Sequence, residues 1–434
     1  MNQLNQRTDN IKSITFFFPY KEVSGVPVLF VRMSRYIAEN YGIETHVIDY
    51  PDGCMTNMLK DNTKVRLHPF RDGVPINIPP DTILIMQSIL PYTMRPELKI
   101  NSSTRIVFWT LYQFNLIPTI IPLQFFRHIQ AKYKNYNKFI MNTLLIGLRN
   151  ELKEFIETAT EKKSIFYSDE SIFRNTAERL SLNINYPIYM PIPCEVFQNQ
   201  KINKISGKKD SVSFCWLGRI ADFKIYMLIY TIQKLSEYAK NNRFPIEMYI
   251  IGEGPKMKMI DRLNLEHEFF HIVKAGMLTE DKLNHYLLEK IDVLTAMGTS
   301  ALEGAKLGVP TIVVDISYSK ISGEYKFKWI FEVKNYVLGD IVDKSSYEKN
   351  NKSLDNVIEL IINNSSSISE RTHEYCINNH SLPVVGEKFI NAIKEASFKY
   401  NDFKSEILRK SMFRKLYEFL RDNYRSMNKK FIWT

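Results

Sequence analysis

Residues 292–315 read DVLTAMGTSALEGAKLGVPTIVVD. An apolar run ends at Leu294. A loop holding Gly298 and two hydroxyls follows, then a short helical pattern and a second apolar run ending at Asp315. Two buried strands joined through a helix make a parallel crossover, and such a crossover requires a layered α/β domain around it. The helix N-terminus leaves amides unbonded and turns a positive dipole end outward. Phosphates bind readily at such ends. Gly298 lets a ligand approach the backbone, Thr299 and Ser300 offer hydroxyls, Ala301 adds an amide, and Glu303 stands in the first turn. A purely structural account fits equally. Ser300-Ala301-Leu302-Glu303 matches the capping box S-x-x-E, and Gly308 fits a C-cap glycine. Both accounts stand open at this point.

The remainder of the chain repeats the alternation. Ile14–Phe18 reads as a buried strand; Ser24 and Gly25 open the helical pattern VLFVRMSRYIAEN, and THVIDY is the next strand. Asp81–Gln87, Thr104–Thr110 and Ser164–Ser168 are further strand candidates. The stretch QNQKINKISGKKD (198–210) is polar and basic and reads as a linker. Beyond it, VSFCWLGRI ends in Gly218 and Arg219, with Lys224 at the start of a helix. IEMYIIG runs into Gly252-Glu253-Gly254-Pro255, a GxG that lacks the third glycine of a dinucleotide fingerprint. Two fixed cations beside a helix dipole make a diphosphate site. Ser365–Ser367 reads as a loop. From Asn401 the tail is basic, and Leu408, Met412, Leu416, Leu420 and Tyr424 step at helical spacing, suited to packing on the first domain or to lying on a membrane.

A chain of 434 residues exceeds one ordinary core, which sets two or three domains as the expectation. The expected partition is 1–197, a linker at 198–210, 211–395 and a helical tail over 396–434. A net charge of +11 suits an anionic partner. Four scattered cysteines form no CxxC pair, so neither a disulfide framework nor a zinc ribbon is indicated. The polar opening MNQLNQRTDNIK is unlike a secretory leader, and no run is long enough to span a bilayer. The expected location is therefore the cytoplasm. The aromatic and basic stretch from Leu111 to Leu148 is read as core helices, with an interfacial membrane contact as the competing reading. No nucleic-acid module is recognisable.

Gly218-Arg219 with Lys224, Gly252-Glu253-Gly254-Pro255, Ile291–Leu294, and Ser300–Gly304 with Leu307-Gly308-Val309-Pro310 occur in one order. Together they resemble the donor domain of GT-B glycosyltransferases of the family 4 type over about residues 200–315. The resemblance implies two Rossmann-like domains facing across a cleft, a nucleotide-sugar donor carrying UDP or GDP, a glycan or lipid-linked acceptor, and no metal or other cofactor. It implies a retaining transfer in bacterial surface-polysaccharide assembly, at the inner face of the cytoplasmic membrane, with peripheral contact to anionic lipid. Arg219 and Lys224 would hold the leaving diphosphate. Gly218, Gly252, Glu253 and the stretch Gly298–Ala301 would line the donor site, and Glu303 would bond the ribose hydroxyls. Gly25, counted with the binding residues, would match the acceptor-side glycine loop.

One position departs from the family pattern. Eight residues before Glu303, where relatives carry a first glutamate, stands Thr295. That departure keeps a catalytically silent GT-B subunit open as an alternative. A more distant one is a zinc peptidase, because His267-Glu268-Phe269-Phe270-His271 spells HExxH; the strand-like run that follows His271 argues against it.

Overall fold

The computed structural model describes residues 11–118, 138–139, 141–143, 145–196, 210–221, 223–342, 352–405 and 407–408. The chain divides into two compact units. One takes Met1–Ser168, Ile172–Met190 and Lys388–Thr434; the other takes Asp169–Ser171 and Pro191–Glu387.

The first unit is built on seven parallel strands: β1 (Ser13–Phe17), β2 (Glu44–Asp49), β3 (Val65–Pro69), β5 (Thr82–Gln87), β7 (Arg105–Thr110), β8 (Ile165–Tyr167) and β9 (Ile188–Tyr189), in the order 3-2-1-5-7-8-9. A small parallel pair, β4 (Ile76–Asn77) and β6 (Leu98–Lys99), stands apart. All five residues of β1 are buried, as parallel strands covered on both faces require. Helix α1 (Gly25–Asn40) presents Leu29, Phe30, Val31, Met33 and Ile37 to the sheet. The short α2 (Cys54–Leu59), α3 (Ile146–Glu161) and α4 (Glu170–Leu180) complete the connections.

The second unit repeats the plan with six strands: β10 (Val212–Leu217), β11 (Ile246–Ile251), β12 (Phe270–Gly276), β13 (Val293–Ala296), β14 (Thr311–Val313) and β15 (Lys328–Trp329). Their order is 12-11-10-13-14-15, and only the β14–β15 pairing is antiparallel. The helices are α5 (Ile225–Asn242), α6 (Met257–Asp261), α7 (Glu280–Lys290), α8 (Thr299–Ala305), α9 (Leu354–His380) and α10 (Leu382–Glu395). The strand order reverses between β10 and β13. In open α/β sheets such a switch point, at the carboxyl ends of the strands, is where ligands bind.

Three sequence expectations change. Ser365–Ser367 is not a loop but lies inside α9, just past a kink at Asn364 (φ −136°, ψ 28°). The second-domain boundary expected at 395 falls earlier, within α10, because Phe389 stacks on Trp109 at 5.4 Å and lies near Phe16 and Phe166 in the first unit. The start of the expected helical tail is instead an extended return. The Ile106 amide donates to the Phe398 carbonyl at 2.8 Å, and Phe398 and Phe403 pack against Phe108 and Phe155. These aromatic anchors precede the periodic pattern that begins at Leu408. Most of that pattern lies outside the described residues, as do the linker apart from Asp210 and much of the stretch after Leu111.

Adjacent strands β2 and β3 bring His46 and His68 together, Nδ1 to Nε2 at 2.9 Å. Burial, above all, pushes both imidazoles below their ordinary value. In the unfolded chain each titrates near ~6.5. The unfolded chain therefore takes up protons first as the pH falls. The stabilisation is complete above about pH 6.5 and is lost as the pH drops through the lower folded values. Unfolding midpoints between pH 8 and 5 test this: His68→Gln should flatten the acid limb, and an acid limb identical to wild type would refute it.

Candidate functional site

The site is built on the loops that leave β10, β11 and β13. Strand β10 is buried throughout and ends at Gly218, whose φ of +143° a side chain rarely adopts. The Gly218 amide donates to the Ile251 carbonyl at 3.0 Å, and the Ile220 amide to the Glu253 carbonyl at 2.9 Å. These bonds bring the β11 loop against the β10 loop. A Cβ at Gly252 would lie 2.3 Å from the Gly218 carbonyl oxygen, and one at Gly254 would lie 2.3 Å from that of Ile220. The GxG thus acts as a spacer between two backbones. It holds Gly218 and Arg219 in place from behind. Glu253 is exposed, and its carboxylate turns toward Gly276.

Two side chains from different helices meet in front of Gly218. A Cβ there would stand 3.2 Å from the Lys224 Nζ and 3.5 Å from the Ser300 Oγ. The ammonium comes from the N-terminus of α5 and the hydroxyl from the first turn of α8. Burial pushes the Lys224 pKa down, and no neighbouring carboxylate counters that shift. Its Nζ also lies 5.8 Å from the centroid of the Phe223 ring. Arg219, next along, is exposed and carries no ion pair among the described residues. A desolvated cation without a counter-charge is costly unless an anion completes it.

Between β13 and α8 stand only Met297 and Gly298. Gly298 has φ +62° and ψ −143°, a region open essentially to glycine, and no atom lies within 4 Å of its would-be Cβ. The backbone is therefore open to approach there. Thr299 is exposed, Ser300 half-buried and Ala301 buried. Gly304 lets α8 lie on the sheet, since a Cβ would come within 2.4 Å of Leu294. Gly308 has the expected C-cap role: its φ is +73°, and the Val309 amide returns to the Gly304 carbonyl at 3.0 Å.

The capping-box account of Glu303 does not hold. No side chain caps the start of α8. Glu303 instead runs toward Lys306, whose Nζ is 2.5 Å from Glu303 Oε2 and 3.3 Å from Glu280 Oε1. Sequence reading missed Lys306, although its spacing of three from Glu303 was the available signal. It also missed the pair of free thiols Cys194 and Cys376, 3.2 Å apart in the core.

Thr295 receives a structural explanation. It lies within β13, fully buried, in register with Trp216 and Ile312. With a two-residue loop, counting back eight from Glu303 lands inside a strand and not at the rim of the site.

The HExxH motif does not form a metal site. His267 and Phe270 exchange backbone bonds across a tight turn, the His267 ring contacts the Ser236 carbonyl at 3.1 Å, and His271 lies in β12. The two histidines share no helical face. No group of three metal-ligating side chains is found among the described residues. Nor, among these residues, is any helix long and apolar enough to cross a membrane. Gly25 lies at the first turn of α1 in the first unit, with open space where a Cβ would go. The other predicted residues all belong to the second unit, where the structure brings Gly218, Lys224 and Ser300 together.

No protein-family model and no curated protein matches the chain. Solved structures do. A glycosyltransferase from Rickettsia africae aligns over 93% of this chain and 100% of its own, with a TM-score of 0.52 and 14% identity. The N-terminal domain of Candida albicans trehalose-6-phosphate phosphatase aligns over 89% and 97%, with a TM-score of 0.51 and 12% identity. A mutant TarM from S. aureus, solved with UDP, fondaparinux and alpha-GlcNAc-glycerol, aligns over 88% and 99%, with a TM-score of 0.50 and 11% identity. At such identities the likeness is one of fold. With two Rossmann-like units, one on a parallel sheet and one on a sheet parallel but for its edge strand, the chain has the GT-B fold.

Proposed function

We propose that this protein is a glycosyltransferase that moves a sugar from a nucleotide-sugar donor to an acceptor hydroxyl. The observation that carries the reading is the convergence of Gly218, the Lys224 ammonium and the Ser300 hydroxyl at the switch point of the second sheet. As the bond from the anomeric carbon to the diphosphate breaks and the sugar passes to the acceptor oxygen, the nucleoside diphosphate leaves, and the negative charge that grows on it is the charge an enzyme must stabilise. Lys224, Arg219 and the amides around Gly298–Ala301 supply that stabilisation, usually the largest catalytic contribution. Glu303 takes the ribose hydroxyls of UDP or GDP. Fixed protein cations do the work a bridging metal would otherwise do, which accords with a metal-independent transfer. TarM, solved with UDP and a GlcNAc-glycerol, supports the donor and acceptor classes by likeness of fold. Retention at the anomeric carbon, a glycan or lipid-linked acceptor and a setting in surface-polysaccharide assembly at the inner membrane face follow from the family resemblance.

The test is thermal melting against UDP, GDP, ADP and their sugar conjugates, for wild type and Glu303→Ala. A ligand of the folded state raises the midpoint by mass action. One nucleotide should shift the wild type by several degrees and the variant by much less. No shift with any nucleotide at millimolar concentration would remove the donor site. The short β13–α8 loop, which leaves no place for a first glutamate, favours one second reading: a subunit that binds a donor without turning it over. Donor binding with no transfer to any glycan or lipid-linked acceptor would support it.

A further inference from the structure

We infer that Lys306 is a positioning residue. It holds the Glu303 carboxylate in place and aimed, and through Glu303 it sets a preference for ribonucleotides over 2′-deoxyribonucleotides. The inference rests on the reading of Glu303 as the ribose contact. Lysine is almost never fully buried unless paired, yet the Lys306 side chain is 3% exposed. It lies just beyond α8, three residues after Glu303, with its Nζ 2.5 Å from Glu303 Oε2. A second carboxylate, Glu280 in the first turn of α7, takes the other side at 3.3 Å.

The two carboxylates are not equivalent. Glu280 is 62% exposed and keeps its water, whereas Glu303 is 21% exposed. The lysine therefore matters most to Glu303. One ammonium shared between two carboxylates leaves a net negative charge. The recorded contact uses Glu303 Oε2, which leaves Oε1 to accept hydrogen bonds from a diol.

The backbone beyond the lysine is held as well: the Ser369 hydroxyl of α9 donates to the Gly308 carbonyl. Replacing the lysine and its carboxylate partners together by apolar groups would often be neutral or stabilising, whereas removing the lysine alone leaves the Glu303 carboxylate without its counter-charge.

The experiment compares affinities for UDP, GDP and their 2′-deoxy forms by calorimetry, in wild type, Lys306→Met, Lys306→Arg and Glu303→Gln, with unfolding temperatures alongside. Wild type should prefer the ribose form by about tenfold or more, the size of a charged hydrogen bond. Lys306→Met should stay folded and lose most of that preference, and Lys306→Arg should recover part of it. If Lys306→Met does not fold, Lys306→Gln carries the same comparison. A folded variant with the wild-type ratio overturns the inference while Glu303→Gln still abolishes it. If Glu303→Gln also keeps the wild-type ratio, the ribose role of Glu303 itself is wrong, and this inference falls with it.

Discussion

Replacing Lys224 by methionine is expected to lower turnover by about a hundredfold, the usual cost of removing one preorganised group from a developing oxyanion. Its Nζ sits over the open face of Gly218 beside Ser300, where burial lowers its pKa and no carboxylate answers it. A free ammonium in that position is destabilising until a phosphate arrives. Removing it should therefore leave the unfolding temperature unchanged or raise it while activity collapses. Arg219→Ala should slow turnover by more than about tenfold; its exposure makes it the weaker of the pair. Lys240→Met, the same charge change at the exposed far end of α5, is the control and should be silent. Steady-state kinetics with the donor identified by melting would decide the matter. Near-normal turnover in Lys224→Met would remove this lysine from the mechanism.

The second large effect is on stability. Gly252→Ala should cost about 3–5 kcal/mol, a large share of an ordinary domain's stability of about 5–15 kcal/mol. Two separate penalties add. The backbone at Gly252 has φ +131°, which costs a side chain about 1–3 kcal/mol. The new methyl would also meet the Gly218 carbonyl oxygen at 2.3 Å, and both partners are backbone held by strand hydrogen bonds, so neither yields cheaply. By contrast Gly147→Ala, inside α3 with open space around it, should be neutral or stabilising by up to about 1 kcal/mol. Denaturant unfolding of the two variants measures the difference. Equal midpoints would mean that the two loops are not packed as described.

How far the sequence foretold this follows physical lines. The strands were legible because both faces of a parallel sheet are buried, so Ile83–Met86 and Ile106–Trp109 appear as unbroken apolar runs. The strand-end glycines were legible because positive φ leaves few other choices. The spacing of Lys306 from Glu303 was legible but its burial was not, because that depends on packing and on Glu280, distant in sequence. Thr295 was legible as a departure but its cause was not, because a motif counted by spacing does not show loop length, and here the loop is two residues. The triple serine at 365–367 misled because propensity is weak against the packing of a long helix through Ile361, Ile368 and Cys376. Val65–Pro69 was missed because only one of its five residues is fully buried. HExxH was rejected from its context, and the turn at His267 shows why that context mattered.

The return of the C-terminal segment has a consequence for how the chain is made. Pro191–Glu387 is a continuous stretch and leaves the ribosome with nearly all of its unit in hand. The first unit, begun earlier, must wait for Phe389 to cover Trp109 and for Phe398 to pair with Ile106. Closing a loop of that length is slow compared with local pairing. The half synthesised second is therefore the half that finishes folding first. Until Phe389 and Phe398 arrive, the earlier half carries an uncovered aromatic surface of the kind that chaperones bind.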